Sequence, residues 1–232
     1  MSRLLVYVEG QTEEAFVRDV LAQHLYNSGY TQVSARKMGK ARQRNRRGGV
    51  RPWPEVRADI LDNLKGDSGV IISTMADYYG MPDHGQAAWP GRTGARVQLE
   101  FPNAIEESLL NDISDQMGGD FNPQRFIPYI MMHEFEAMLF SDCRKFANGI
   151  GFPCLHPKFQ TIRDQFDTPE DIDDSPITAP SKRIEALVPK YRKPVLGIRA
   201  ATTIGLPAIR TECNHFRGWL EYLEGLAYRE KA

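Results

Sequence analysis

Carboxylate side chains follow three of the apolar segments that the sequence predicts to be strands. In a parallel sheet the carboxyl ends of the strands meet at one edge, where the ligands of open α/β folds bind. Converging carboxylates repel one another unless a cation lies among them, and such oxygen ligands favour Mg²⁺ or Mn²⁺. A metal site of this kind can activate water and stabilise the charge of an in-line phosphoryl displacement. The candidate metal ligands are Glu9, Asp77, Glu134 and Glu136.

Each of these acids also has a purely structural explanation. Glu9 could lie in the first turn of a helix, where the helix dipole favours a carboxylate, and Asp77 is a good turn former. Residues two apart on a helix do not share a face, so we predict that one of Glu134 and Glu136 is merely solvated. We favour Glu134 as the ligand because it is nearer the strand end. His133 is a candidate base, metal ligand or capping group. The candidate catalytic residues are Glu9, Asp77 and His133.

A second chemical feature is an arginine-rich segment, residues 36–51, which carries eight basic and no acidic residues. Neutralising several phosphates gives sequence-independent affinity for a nucleic-acid backbone, and an anion would relieve the repulsion among these cations. The segment therefore predicts phosphate binding, and the alternative is a solvated basic loop balanced by acids elsewhere in the fold. The predicted nucleic-acid contacts are Arg42, Arg44, Arg46, Arg47 and Arg51.

Alternating strand and helix patterns surround these residues. Short apolar runs rich in Val, Ile and Leu predict strands, and apolar residues at three- and four-residue spacing predict helices. Strands separated by helices imply right-handed crossovers, so we predict an α/β fold with a doubly wound, mainly parallel sheet. The predicted strands are 4–8, 31–36, 69–75 and 125–132, and the predicted helices between them are 12–27, 53–64 and 99–117.

The pattern changes after residue 146, where prolines and short helical patterns replace the strand signals. Pro180 and Ser181 make a good helix start, so we predict that Lys182 and Arg183 cap this helix; a place in the active site is the alternative. We predict one domain over residues 1–146. A helical extension over residues 147–232 packs on it and offers a surface for a partner.

Composition limits the class of protein. A chain of 232 residues, 41% of them hydrophobic, can bury one core, or one core and a small lobe. No apolar run approaches the roughly 18 residues that span a bilayer, and no signal peptide pattern begins the chain, so we predict a cytoplasmic protein without a membrane segment. Three cysteines without Cys-x-x-Cys spacing predict neither a disulfide framework nor a zinc site.

Two resemblances to known families can be traced in the sequence. The segment Val-Glu-Gly-Gln-Thr-Glu at 8–13, followed by a strand that ends in Asp77, resembles the Toprim domain shared by topoisomerases, bacterial primases and the overcoming-lysogenization-defect nucleases. It is most similar to the nuclease branch, in which Val-Glu-Gly precedes Thr-Glu or Ser-Asp. Segments 77–80, 133–142 and 179–183 resemble a bacterial family of unknown function, and this similarity covers nearly the whole chain. Its members are often encoded beside an ABC- or SMC-type ATPase and are suspected of acting in defence against phage.

The Toprim resemblance implies a role for each matching residue. Glu9 would be the general acid or base or a metal ligand, Gly10 would permit the tight turn after the strand, and Asp77 would be the first acid of the Asp-x-Asp metal motif. Tyr79 departs from the pattern, because the second acid of that motif should stand there. A glutamate after the last predicted strand would replace this ligand, which is our hypothesis and not a property of the family. We predict that Tyr78 and Tyr79 are core residues, with a stacking platform as the alternative.

Together these features predict a Mg²⁺- or Mn²⁺-dependent nuclease that hydrolyses phosphodiester bonds of DNA or RNA, controlled by a partner ATPase in an anti-phage defence system. The main alternative is a catalytically degenerate Toprim-like module that binds nucleic acid or the ATPase, which the tyrosine at position 79 favours. A third alternative is chemistry on a nucleotide or small phosphoester gripped by the basic segment. We leave open whether the chain forms a homo-oligomer.

Overall fold

A parallel β-sheet organises the chain, and the computed structural model describes residues 2–38, 50–92, 101–172 and 178–229. The strands are β1 (Arg3–Val8), β2 (Gln32–Lys37), β3 (Val70–Asp77), β4 (Phe126–Ile127) and β5 (Ile130–Met131). Within the described residues they pair in the order β2-β1-β3-β4, and β5 continues the outer edge by pairing with the end of β3. All of these pairs are parallel.

Helices cover both faces of the sheet and make up the C-terminal region. The α-helices are α1 (Gln11–Phe16), α2 (Ala22–Ser28), α3 (Trp53–Gly66), α4 (Phe101–Met117), α5 (Cys143–Gly149), α6 (His156–Arg163), α7 (Pro180–Leu187), α8 (Ile198–Ile204), α9 (Leu206–Glu212) and α10 (Asn214–Arg229). The described residues also form π-helical segments at Val17–Leu21, which joins α1 to α2, and at Lys193–Gly197, which precedes α8. Two of the 3₁₀ segments, Tyr78–Gly80 and Phe135–Asp142, follow strand ends. No described helix combines the length and the apolar composition needed to cross a bilayer.

Both faces of the sheet are buried, which explains why β1 is a nearly continuous apolar run. Leu4, Val6 and Val8 belong to a hydrophobic cluster that includes α1, α2 and the C-terminal helices. Leu5 and Tyr7 belong to a second cluster, which includes α3 and α4. This alternation is the two-residue period of a strand, with each face packed against its own layer of helices.

The strand order changes direction at β1, because β2 lies on one side of it and β3 on the other. Open α/β sheets bind ligands at such a switch point, in the crevice outside the carboxyl ends of the strands. The register places Val8 beside Met75, so Glu9 and Asp77 both lie at this edge of the sheet. The predicted mixed α/β fold, with a mainly parallel sheet flanked by helices and a helical C-terminal region, is confirmed.

The predicted strand at 125–132 is the element that the structure corrects. It consists of β4 and β5 with an interruption at Pro128 and Tyr129, because proline has no N–H group to continue the ladder. The side chain of Thr74 replaces the missing pairing. Its hydroxyl oxygen accepts a hydrogen bond from the Tyr129 N–H at 3.0 Å and donates to the Tyr129 carbonyl at 3.1 Å.

The C-terminal helices pack on the sheet through α10. The indole Nε1 of Trp219 donates to the Ser73 hydroxyl of β3 at 2.9 Å, and this hydroxyl donates to the Ile127 carbonyl at 2.6 Å. The hydrophobic cluster on this face runs from Leu4 to Ala227, so the two predicted parts of the chain share one core. A division at residue 146 stays a prediction.

Candidate active site at the carboxyl edge of the sheet

The turn after β1 places two glutamates at the sheet edge. Gly10 caps helix α1, and its N–H donates to Glu13 Oε2 at 2.9 Å. The backbone of Gly10 is extended, a conformation that any residue can adopt. Glycine is suited to this position because it has no side chain, and not because the turn is left-handed. A Cβ atom at this position would lie 3.1 Å from the same Glu13 oxygen. The turn thus brings Glu13 near Glu9, and burial together with the charge of Glu9 raises the pKa of Glu13.

Asp77 at the end of β3 lies among these acids. Its pKa is raised well above the usual range, first by burial and then by the charges of Glu9, Glu13 and Glu136, against a smaller opposing effect of Lys193. The Asp77 Oδ1 atom is buried and has no hydrogen-bond partner within the described part of the chain. The predicted convergence of acids from separate strand ends therefore includes Glu9, Asp77 and Glu136, with Glu13 as a further member.

Glu134 and Glu136 both face the same cation, so the prediction that one of them is merely solvated is wrong. Lys193 Nζ lies 3.1 Å from Glu134 Oε1 and 3.1 Å from Glu136 Oε2. Glu134 precedes the 3₁₀ segment in an extended conformation, so the facing rule for a regular helix does not apply to this pair. Glu136 is the more deeply buried of the two, with 1% of its surface exposed.

The environments of these two glutamates separate their pKa values. Burial raises the pKa of Glu136 to about 7, although Lys193 lowers it. Burial acts in the same direction on Glu134, but the charge of Lys193 and hydrogen bonds from Ser181 bring the pKa of Glu134 below its usual value. One of these bonds runs from the Ser181 N–H, at the start of α7, to Glu134 Oε2 at 2.8 Å. The start of α7 thus anchors Glu134, whereas Glu136 Oε1 is buried without a hydrogen-bond partner among the described residues.

Lys193, like Glu13, is a site residue that the sequence did not reveal. It begins the π-helical segment before α8, far along the chain from the strands whose acids it meets. Partial burial lowers its pKa, but the charges of Glu136 and Glu134 outweigh burial and raise the pKa overall, so it stays a cation. Tyr191 precedes it by two residues, and burial and the charge of Glu136 raise the pKa of the Tyr191 hydroxyl. The sequence held only a weak signal for this residue. A cluster of acids requires a cation nearby, but only the fold shows which lysine lies close to these acids.

The aromatic residues after Asp77 have different environments. Tyr78 is 9% exposed and its hydroxyl accepts a hydrogen bond from Arg92 at 2.7 Å, so the predicted core position is confirmed. Tyr79 is 47% exposed, so the same prediction for it is wrong. Its ring stacks on the ring of His133, with centroids 5.7 Å apart and an angle of 20° between the planes. His133 therefore lies at the rim of the site beside Tyr79.

The arginine-rich segment begins and ends at this edge of the sheet. On one side Met38 follows β2, and its N–H donates to the Val8 carbonyl at 2.9 Å. On the other side Val50 is buried against Gly80, where an added Cβ would lie 2.9 Å from Val50 Cγ2 and 3.2 Å from Glu9 Oε2. Arg51 follows and lies 4.0 Å from Glu55. The predicted contacts Arg42, Arg44, Arg46 and Arg47 lie outside the described residues.

The site can be tested for its fit to Mg²⁺ or Mn²⁺. No group of three or more acidic, histidine or cysteine side chains among the described residues is arranged to hold a metal ion, and Lys193 already neutralises Glu134 and Glu136. Magnesium, however, is commonly held by one or two carboxylates, with water and substrate phosphates completing its coordination. Glu9 and Asp77 are a donor set of that kind, and the buried Oδ1 of Asp77 needs a partner. The residues present therefore fit the ion.

Comparison with known proteins identifies the family but no activity. Searches of curated proteins and of solved structures found no match. Residues 8–224 match a family described as a domain of unknown function, DUF4276. This range includes every acid of the site and Lys193. The chain therefore belongs to the DUF4276 family.

Proposed function

We propose that this protein is a Mg²⁺- or Mn²⁺-dependent nuclease whose reaction centre lies at the switch point of the sheet, beside Glu9 and Asp77. The observation that carries the proposal is the buried Oδ1 atom of Asp77, which has no hydrogen-bond partner among the described residues although three other acids lie nearby. A buried oxygen without a donor is costly, and crowded carboxylates repel one another. A bound divalent cation would remove both penalties.

Each charged residue has a part in this proposal. Glu9 and Asp77 would hold the ion, which when bound supplies an activated water and offsets the charge of the reacting phosphate. Lys193 holds Glu134 and Glu136 in place and reduces the negative charge that would repel a nucleic acid. Glu13 is buried and accepts a hydrogen bond from Gly10, which fixes the turn that presents Glu9.

Nucleic acid is the substrate that the basic segment supports. Met38 and Val50, near the two ends of this segment, are fixed at the edge that carries Glu9. Trp89 strengthens this attachment, because its indole donates to the Arg51 carbonyl at 2.8 Å and its ring packs against Trp53. Arginines between these fixed points would contact the phosphate backbone and orient it without reading its sequence.

Control by a partner ATPase in defence against phage is a further part of the proposal. Its support is the resemblance to a family often encoded beside such ATPases, and the small number of residues here that could read bases. A nuclease with little sequence preference would damage its own cell unless a partner restrained it. The C-terminal helices, which supply Lys193 to the site, would give such a partner direct access to it.

A catalytically inactive binding module is the second candidate. Tyr79 stands where the Toprim motif has its second acid, and Lys193 already provides the cation for two of the four predicted ligands. On this alternative, the acids and Lys193 form a closed ion-pair cluster, and the basic segment alone binds nucleic acid. Metal binding separates the two candidates.

The decisive experiment compares wild type with Glu9→Gln and Asp77→Asn, and uses the exposed Asp120→Asn as the matched control. Cleavage of plasmid, single-stranded DNA and RNA is followed with Mg²⁺, with Mn²⁺ and with EDTA, and melting temperature is measured under the same conditions. We expect cleavage and a metal-induced rise in melting temperature in wild type and Asp120→Asn, and neither in the site variants. A wild type that neither cleaves nor gains stability from metal, with or without the partner ATPase, contradicts the proposal.

A further inference from the structure

The exposed ring of Tyr79 is a feature that metal chemistry does not use. The aromatic side chains exposed among the described residues include Tyr26, Tyr79, Phe152 and Tyr222. The other three belong to α2, the turn after α5, and α10, whereas Tyr79 is two residues from Asp77. An aromatic ring exposed beside a candidate reaction centre is a surface on which a flat ligand can stack.

The ring is also held in a fixed orientation. His133 stacks against Tyr79 at 5.7 Å, and Tyr78 meets it edge to face, with centroids 5.6 Å apart and 76° between the planes. Tyr78 is itself clamped by Arg92, whose guanidinium carbon lies 3.8 Å from the ring centre. Because these contacts already restrict the Tyr79 side chain, binding a ligand on it costs little further ordering.

The backbone connects this ring directly to the acids. Gly80 follows Tyr79 and packs closely against Glu9. A Cβ atom added at Gly80 would lie 3.2 Å from Glu9 Oε2 and 3.4 Å from Glu9 Oε1. Because the Tyr78–Gly80 segment directly follows Asp77, a nucleotide stacked on Tyr79 would lie at the edge of the sheet that carries Glu9 and Asp77. The buried Val50, next to the last residue of the arginine-rich segment, packs against the same glycine.

We infer that Tyr79 is a stacking platform for one unpaired nucleobase, so that the substrate is single-stranded next to the phosphate at the reaction centre. A base within a duplex has both faces covered by its neighbours, whereas the face of an unpaired base is open to an aromatic side chain. Stacking of this kind accepts any base, which agrees with a site in which phosphate contacts supply the remaining affinity. This inference rests on the proposed use of nucleic acid as substrate.

Binding without metal tests the inference separately from cleavage. Fluorescence anisotropy in EDTA would measure the affinity of wild type, Tyr79→Ala and Tyr79→Phe for single-stranded DNA, single-stranded RNA and duplex DNA. We expect Tyr79→Ala to weaken single-strand binding by about 5- to 150-fold, the range for loss of one base–aromatic stack. Tyr79→Phe should keep most of the affinity, because the phenyl ring stacks equally well. Tyr222→Ala is the matched control, since Tyr222 is also 47% exposed and lies on α10.

The outcomes separate the inference from the proposed function. Single-strand binding that is equal in wild type and Tyr79→Ala overturns the inference, and so does an equal loss for single strands and duplex. If metal-dependent cleavage persists in that case, the proposed nuclease stands without the stacking platform. If single-strand binding depends on Tyr79 but no metal-dependent cleavage occurs, the platform stands and the nuclease does not. A wild type that binds none of the three polymers contradicts both.

Discussion

Lys193 and Glu136 form an ion pair with 3.1 Å between Nζ and Oε2, and it joins the C-terminal helical region to the acidic edge of the sheet. The carboxylate of Glu136 is almost completely buried, and the ammonium group of Lys193 is partly exposed. Because Glu134 meets the same ammonium group, one lysine balances two acids. The C-terminal region is thus part of the electrostatics of the site as well as a packed layer.

Replacing Lys193 tests this relationship. Lys193→Met leaves Glu136 buried without its cation. We therefore expect the free energy of unfolding, measured in urea, to decrease by about 2 kcal/mol. The loss is smaller than for a fully buried pair because Lys193 is partly solvated. Lys182→Met is the control, since its pair with Glu185 is exposed and should matter by less than about 0.5 kcal/mol. Equal stability of the two variants would show that the Lys193 ion pair is unimportant.

Removing charge at Asp77 should stabilise the metal-free protein. Asp77→Asn keeps the shape of the side chain and, at pH values where Asp77 is ionised, relieves its repulsion with Glu9, Glu13 and Glu136. A gain of about 1 kcal/mol would raise the melting temperature by about 2–4 °C for a chain of this size. Differential scanning calorimetry in EDTA measures this gain, with the exposed Asp120→Asn as the reference. A lower melting temperature for Asp77→Asn would mean that favourable contacts of the aspartate outweigh its repulsion with the neighbouring acids.

The close packing of Val50 and Glu9 around Gly80 can be tested by adding a methyl group at position 80. An alanine Cβ there would lie 2.9 Å from Val50 Cγ2 and 3.2 Å from Glu9 Oε2, so Gly80→Ala should displace Glu9 and cost about 1–3 kcal/mol. We expect metal-dependent cleavage to fall together with stability. Gly225→Ala, on an exposed helical position with open space, should instead stabilise by about 0.4–1 kcal/mol. If Gly80→Ala kept wild-type stability and cleavage, the close approach of Gly80 to Glu9 would be unimportant.

His215 gives a pH dependence remote from the acidic site. Burial lowers the pKa of this histidine, but its ion pair with Glu106 at 3.0 Å and the charge of Glu170 outweigh burial and raise it overall. A histidine with a raised pKa stabilises the fold fully below its unfolded pKa of about 6.5, and this contribution disappears as pH rises through the folded value. The free energy of unfolding should therefore decrease from about pH 6.5 upward.

Urea unfolding across this pH range, with an NMR titration of the His215 ring, measures the effect. His215→Gln should reduce the slope of unfolding free energy against pH. His84→Gln, which removes an exposed pair with Asp83, is the matched control. An identical slope in wild type and His215→Gln would show that this histidine has the same pKa in the folded and unfolded states.

The strands and the helices around them could be predicted from local pattern, because their signals lie within a few residues. Val70–Asp77 is apolar through most of its length, since both faces of a central parallel strand are buried. The break at Pro128 was also readable in principle, because proline lacks a ladder donor. The two hydrogen bonds between the Thr74 hydroxyl and the Tyr129 backbone could not be predicted, since they depend on which side chain of the neighbouring strand faces Tyr129.

Local sequence patterns are enough to predict the parallel α/β architecture and the placement of Glu9 and Asp77 at strand ends, because periodicity and strand termination are local properties. The folded chain is needed to show that Lys193 neutralises Glu134 and Glu136, and that Tyr79 is exposed beside His133 while Tyr78 is buried. These facts depend on contacts between residues far apart in the chain, 59 positions in the case of Lys193 and Glu134. Burial and charge act through space, so a pattern along the chain carries no record of which distant groups share a pocket.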